Sequence, residues 1–155
     1  MKRTPISGLV GAGVFAAAAL AILTWGFYGR FGAISPVVSV TLWVVAAVCL
    51  FLAYMVKKRR EDGLIGLDRS QLNPMMVTNF MLIGKASAWT GAIVGGAYIG
   101  IGTYIVPNLG TLIAAQDDFP GVLASALGGV ALCVSGVILE RACEVSPPAD
   151  GEPVG

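Results

Sequence analysis

The sequence has no histidine. It therefore lacks the side chain that most often serves as a proton shuttle or zinc ligand near neutral pH. Charge is scarce too: Asp, Glu, Lys and Arg make up 12% of the residues, about half of the roughly 25% usual in soluble domains. With 56% hydrophobic residues, a chain of 155 has too little charge to cover the outside of a soluble fold. The net charge of +1 provides no global field to recruit nucleic acid or acidic substrates. Three cysteines are present, Cys49, Cys133 and Cys143, with no CxxC or paired spacing. That argues against a disulfide framework or zinc site and leaves the thiols as small apolar residues.

Charge is also missing from the interiors of four apolar runs, at 6–28, 36–56, 86–106 and 119–139. Each is long enough to cross a bilayer as a helix, which takes about 20 apolar residues. In hydrocarbon every backbone polar group must be satisfied within the segment, so helices are the expected form. The predicted class is all-α: a polytopic membrane domain over 1–145, its four spans forming two antiparallel hairpins. The first run is too long for the h-region of a signal peptide, about 7–15 residues. Its exit, TWGFYGR, offers no small-residue cleavage site, so it reads as a retained span. The tail SPPADGEPVG, 146–155, cannot bury a core and is expected to be disordered.

Nine of the ten basic residues fall on one side of these spans. They are Lys2, Arg3, Lys57, Lys58, Arg59, Arg60, Arg69, Lys85 and Arg141, against Arg30 alone on the other side. The positive-inside rule then places both termini and the 57–85 loop in the cytoplasm, and the protein in the cell membrane. The cluster Lys57, Lys58, Arg59 and Arg60 fixes this topology or binds anionic lipid head groups. On the opposite side, Pro107 and Pro120 bracket an outer link. Its middle, TLIAA, is apolar enough to lie on the membrane surface or tuck against the bundle. Asp68 with Gln71 has capping-box spacing. Asn73 followed by Pro74 is a stronger helix start. A helix from 74 to 106 would be roughly 50 Å long, against a hydrocarbon core of about 30 Å. Its first third, MMVTNFMLIG, should project beyond the span and either pack on the protein's own inner face or receive a partner.

Span three carries side chains of almost no bulk at every fourth position: Gly84, Ala88, Ala92, Gly96 and Gly100. A second row, Ser87, Gly91 and Gly95, runs beside it. Lipid tails are as apolar as leucine, so helices associate in membranes through close backbone approach, which small residues permit. Four residues turn a helix by about 400°, so the row drifts about 40° per step and winds around the helix. That suits a right-handed crossing or contact with two neighbours. Span four has a matching row, Gly121, Ser125, Gly129 and Cys133, with Gly128 and Gly136 beside it; span one has Gly8, Ala12 and Ala16. At the inner rim, Lys85 precedes span three while Glu140 and Arg141 follow span four. Lys85 and Glu140 either pair or separate, Lys85 snorkelling to head groups.

An ion-coupled carrier usually shows an ionisable residue at membrane depth, and an enzyme needs a nucleophile, base or metal site. No such constellation is visible, so no catalytic, cofactor-binding or metal-binding residue is assigned and no cofactor is expected. The segments GKASAWTGAIVGGAYIG, YIVPNL and LERACEV resemble a group of small actinobacterial integral membrane proteins catalogued as a domain of unknown function. That resemblance implies four spans and an association with a folate-biosynthesis gene neighbourhood. It supplies no functional residue. The expected role is a non-catalytic accessory, scaffold or assembly protein working with the bilayer, a second copy or a membrane-protein partner. The alternative is a small oligomeric permeation protein for a neutral or pterin-like solute.

Overall fold

A computed structural model describes residues 4–30, 35–61 and 74–144. Four helices account for nearly all of them: α1 (Ile6–Phe27), α2 (Pro36–Glu61), α3 (Pro74–Asn108) and α4 (Ile113–Cys143), with a 3-10 turn, Tyr28–Arg30, closing α1. Each helix is long and apolar enough to cross a membrane. The all-α, four-span expectation holds. Residues 62–73, with the Asp68–Gln71 capping box, Asn73 and Arg69, lie outside the described residues. So do Lys2, Arg3, 31–34 and the tail.

Helix lengths follow their ends. α3 begins at Pro74 and runs 35 residues. α2 continues past the expected 56 through Lys57–Glu61, where cations favour the negative end of the helix dipole. The outer link is much shorter than its two prolines suggest, because α3 continues through Pro107 and α4 starts at Ile113. The end of TLIAA, Ile113 to Ala115, thus opens the first turn of α4, and Ala115 there is fully buried. A proline near a helix end is tolerated when the group it would have bonded finds another partner. The turn after Pro107 is itself closed by three hydrogen bonds. Asn108 Nδ2 donates to the Tyr104 carbonyl (2.8 Å), the Leu112 N–H to the Asn108 carbonyl (3.0 Å), and Gln116 Nε2 to the Leu109 carbonyl (2.7 Å).

Packing order across the bundle is α1, α3, α4, α2. α3 and α4 form the central hairpin. α1 lies against α3 alone among the other helices, and α2 lies mainly against α4. In this respect the pairing differs from two self-packed hairpins: α1 and α2, consecutive in sequence, flank the α3–α4 pair from opposite sides. α3 and α4 each present two contact faces, whereas α1 and α2 each present mainly one.

The α2 face is a stripe of Ser39, Leu42, Ala46, Cys49, Ala53 and Val56, all buried. Its alternating steps of three and four are those of a coiled-coil seam. On α4 the buried residues Ser125, Gly128, Leu132, Ser135 and Leu139 repeat that spacing. The core along this seam reaches the end that the charge pattern assigns to the inner side, where Val77, Phe80 and Met81 of α3 join Val56, Leu139 and Cys143. One side of the projecting MMVTNFMLIG turn is therefore packed on the protein itself. The other side is open, with Met75 74% exposed and Met76, Leu82 and Ile83 also exposed. A second, outer cluster gathers Ile105, Ala115 and Val122 under Tyr28, Tyr98 and Phe119.

Candidate functional site

The glycine rows of α3 divide between two neighbours. A methyl group built on Gly84 would lie 2.8 Å from the Glu140 nitrogen and 2.9 Å from the Gly136 carbonyl oxygen of α4. One on Gly91 would strike Cys133 and Gly129, and one on Gly95 would lie 3.1 Å from Gly129. From the α4 side, Gly129 abuts the Gly95 backbone, and a methyl on Gly136 would sit 2.5 Å from the Ala88 nitrogen. Further along the same helix the contact passes to α1. Gly96 faces the Gly13 carbonyl, Gly100 faces the Ala17 carbonyl, and Gly13 faces Ala92. The drift of an every-fourth-residue row has this consequence: Gly84 and Ala88 serve α4, while Ala92, Gly96 and Gly100 serve α1. Backbones this close gain dispersion and Cα–H···O contacts that larger side chains would prevent.

On α4, Gly129 and Cys133 take the expected place against α3. Gly121 is half-buried, and Ser125 is fully buried with its hydroxyl unbonded. Gly128 turns away from α3 and lies against Leu42 and Trp43 of α2. Trp43 is 47% exposed, with its indole Nε1 donating to the Ala124 carbonyl at 3.2 Å. The α1 contact uses Gly8, Gly13 and Ala17 beside the buried Ala16, with Ala12 half-buried. Reading only fourth positions missed Gly13 and Ala17, and it missed the three–four alternation of the α2–α4 seam. Cys49 and Cys143 are buried and Cys133 is half-buried. The Cys49 thiol lies 3.5 Å from the Ser87 hydroxyl, the one polar link described between α2 and α3.

Polar groups concentrate at the two rims. At the outer rim, the Tyr28 hydroxyl donates to Asp118 Oδ2 at 3.0 Å, and the Tyr28 ring tilts against Tyr104 with centroids 4.8 Å apart. Trp25 meets the same Tyr104 edge-on at 5.7 Å. The cluster ties the end of α1 to α3 and α4. At the inner rim, Glu140 is 2% exposed, and its Oε1 accepts the Thr4 backbone N–H at 2.8 Å. Its described bond thus runs to Thr4, two residues ahead of α1. Lys85 is half-buried beside Gly84, at the level of Glu140. Lys57 and Lys58 are exposed and Arg59 is half-buried, while Arg60 shares the same helical turn. Three hydroxyls within the spans bond to their own helix: Thr24 to the Leu20 carbonyl, Thr103 to the Gly100 carbonyl and Ser135 to the Leu132 carbonyl.

Because α1 stands clear of α4, the two leave a groove of about 590 Å³ between them. Its floor is the glycine surface of α3 around Gly91, Gly95 and Gly96, and its walls are aliphatic. Its inner mouth is Arg141, which is exposed. A smaller rim pocket of about 260 Å³ adjoins it, bounded by Thr4, Glu140, Arg141 and Glu144. Among the described residues no cluster of acids, cysteines or histidines could hold a metal ion.

Residues 9–147 match the sequence profile of the family described as "Protein of unknown function (DUF3180)", and the chain belongs to that family. No curated protein and no solved structure matches it.

Proposed function

We propose that this member of the DUF3180 family is a non-catalytic accessory, scaffold or assembly protein of the cell membrane, with both termini and the 57–85 segment in the cytoplasm. One observation carries the reading. α3 is one continuous helix from Pro74, and its first turns are packed on one side yet leave Met75, Met76, Leu82 and Ile83 exposed on the other. Methionine adapts its shape to a partner surface, and the glycine-welded hairpin behind it holds the projection in place. The association with folate biosynthesis that the family resemblance implies belongs to the same proposal. It makes enzymes of that process candidate clients.

The test is site-specific photo-crosslinking in native membranes. A photoreactive residue at Met76 or Ile83 should give one discrete adduct, and the same residue at Val44, on the outer face of α2, should give none. Adducts that are the same at all three positions would refute the scaffold reading. Purified protein in proteoliposomes should be inert. Saturable flux of a neutral or pterin-like solute would replace the scaffold with the permeation alternative.

A further inference from the structure

The geometry points to the α1–α4 groove as a binding site for one phospholipid, its acyl chain along the glycine floor and its phosphate on Arg141 and the Thr4 hydroxyl. This inference stands apart from the scaffold reading, since it concerns the opposite side of α3 and is read on purified protein.

Three observations select the occupant. First, length: along α1 the groove runs from Ile6 to Ala17, and along α4 from Val130 to Arg141. Eleven helical steps make about 17 Å, close to half of a hydrocarbon core of about 30 Å. That is one leaflet deep, the depth of an acyl chain. A transmembrane helix from a partner would need a groove twice as long. Second, lining: the walls are aliphatic from Leu9 to Val14 on α1 and from Val130 to Ile138 on α4, and the polar groups lie at the rim end. Third, complementarity at the mouth: the Arg141 side chain is exposed at the rim, and Thr4 Oγ1 beside it is buried with no hydrogen-bond partner among the described residues. A cation and a hydroxyl donor at the end of an apolar slot match a phosphate above a chain.

Glu140 and Glu144 line the same rim pocket, and Glu140 is already engaged by the Thr4 N–H. Two carboxylates repel a head group of multiple negative charge, so the site favours a phosphodiester over a phosphomonoester lipid. The chain itself gains little by leaving one apolar medium for another. Selectivity therefore rests on the head group, while the smooth floor adds close dispersion contact.

Native mass spectrometry of the full chain in mild detergent tests this, with phosphatidylglycerol, diacylglycerol and phosphatidic acid added in turn. One phosphatidylglycerol per chain should be retained, about tenfold more strongly than diacylglycerol, as one charge-assisted contact implies. Phosphatidic acid should be held less well than phosphatidylglycerol. Arg141→Gln should abolish the preference over diacylglycerol, and Arg141→Lys should restore part of it. Val134→Trp, on a wall residue 53% exposed, should block the slot without unfolding the bundle, and Val44→Trp should change nothing. Thermal melting of each variant checks the fold. Equal retention of phosphatidylglycerol and diacylglycerol, or retention untouched by Val134→Trp, overturns the assignment. So does a lipid-free dimer that Val134→Trp dissociates, because the groove would then belong to a second copy.

Discussion

Gly136→Ala should destabilise the protein, whereas Gly11→Ala should not. In a helix, replacing glycine by alanine removes backbone freedom from the unfolded chain and favours folding by about 0.5–1 kcal/mol. Gly11 is exposed and has nothing within 4 Å of the added methyl, so it should show that gain. At Gly136 the methyl would sit 2.5 Å from the Ala88 nitrogen and 2.6 Å from the Gly84 oxygen, against 3.4 Å or more for an ordinary contact. α3 and α4 must part locally by the difference, about 0.9 Å. A gap of that size forfeits between a quarter and a half of each contact's dispersion well. Overpacking of this kind costs about 1–3 kcal/mol, which outweighs the propensity gain. At about 2–4 °C per kcal/mol for a chain of this size, the two variants should melt several degrees apart, on either side of wild type. The assay is thermal unfolding in detergent with a thiol-reactive dye, which reports exposure of the buried Cys49 and Cys143. If both variants shift in the same direction, the glycines are merely common membrane residues and the close-packing argument fails.

Ser87→Cys, in a background with Cys133→Ser and Cys143→Ser, should form a disulfide with Cys49 on mild oxidation, because the two side chains already approach to 3.5 Å. Cleavage at a protease site introduced within 62–73 should leave the halves joined only when oxidised; separation under both conditions would contradict the placement of α2 beside α3. At the outer rim, Tyr28→Phe should cost about 1 kcal/mol, the worth of one hydrogen bond, and should cost nothing further in an Asp118→Ala background. Strictly additive melting shifts would show that the two residues do not interact.

The sequence by itself determined the class, the number of spans, the start of α3 at Pro74 and the presence of glycine rows. Charge is excluded from hydrocarbon, and backbone there must be helical, so length and composition suffice. Which side of each helix turns inward could not be read the same way. In water an amphipathic stripe marks the buried face. In lipid the outside is as apolar as the inside, and exposed Phe15 or Val44 looks no different from buried Leu132. Only the tertiary structure decided that Gly84 and Gly91 belong to α4 while Gly96 and Gly100 belong to α1. It also placed α1 and α2 on opposite sides of the central pair, bound Glu140 to Thr4, and opened a groove ending at Arg141. Those outcomes depend on how closely two backbones can approach, a property of facing pairs that neither helix's sequence contains alone.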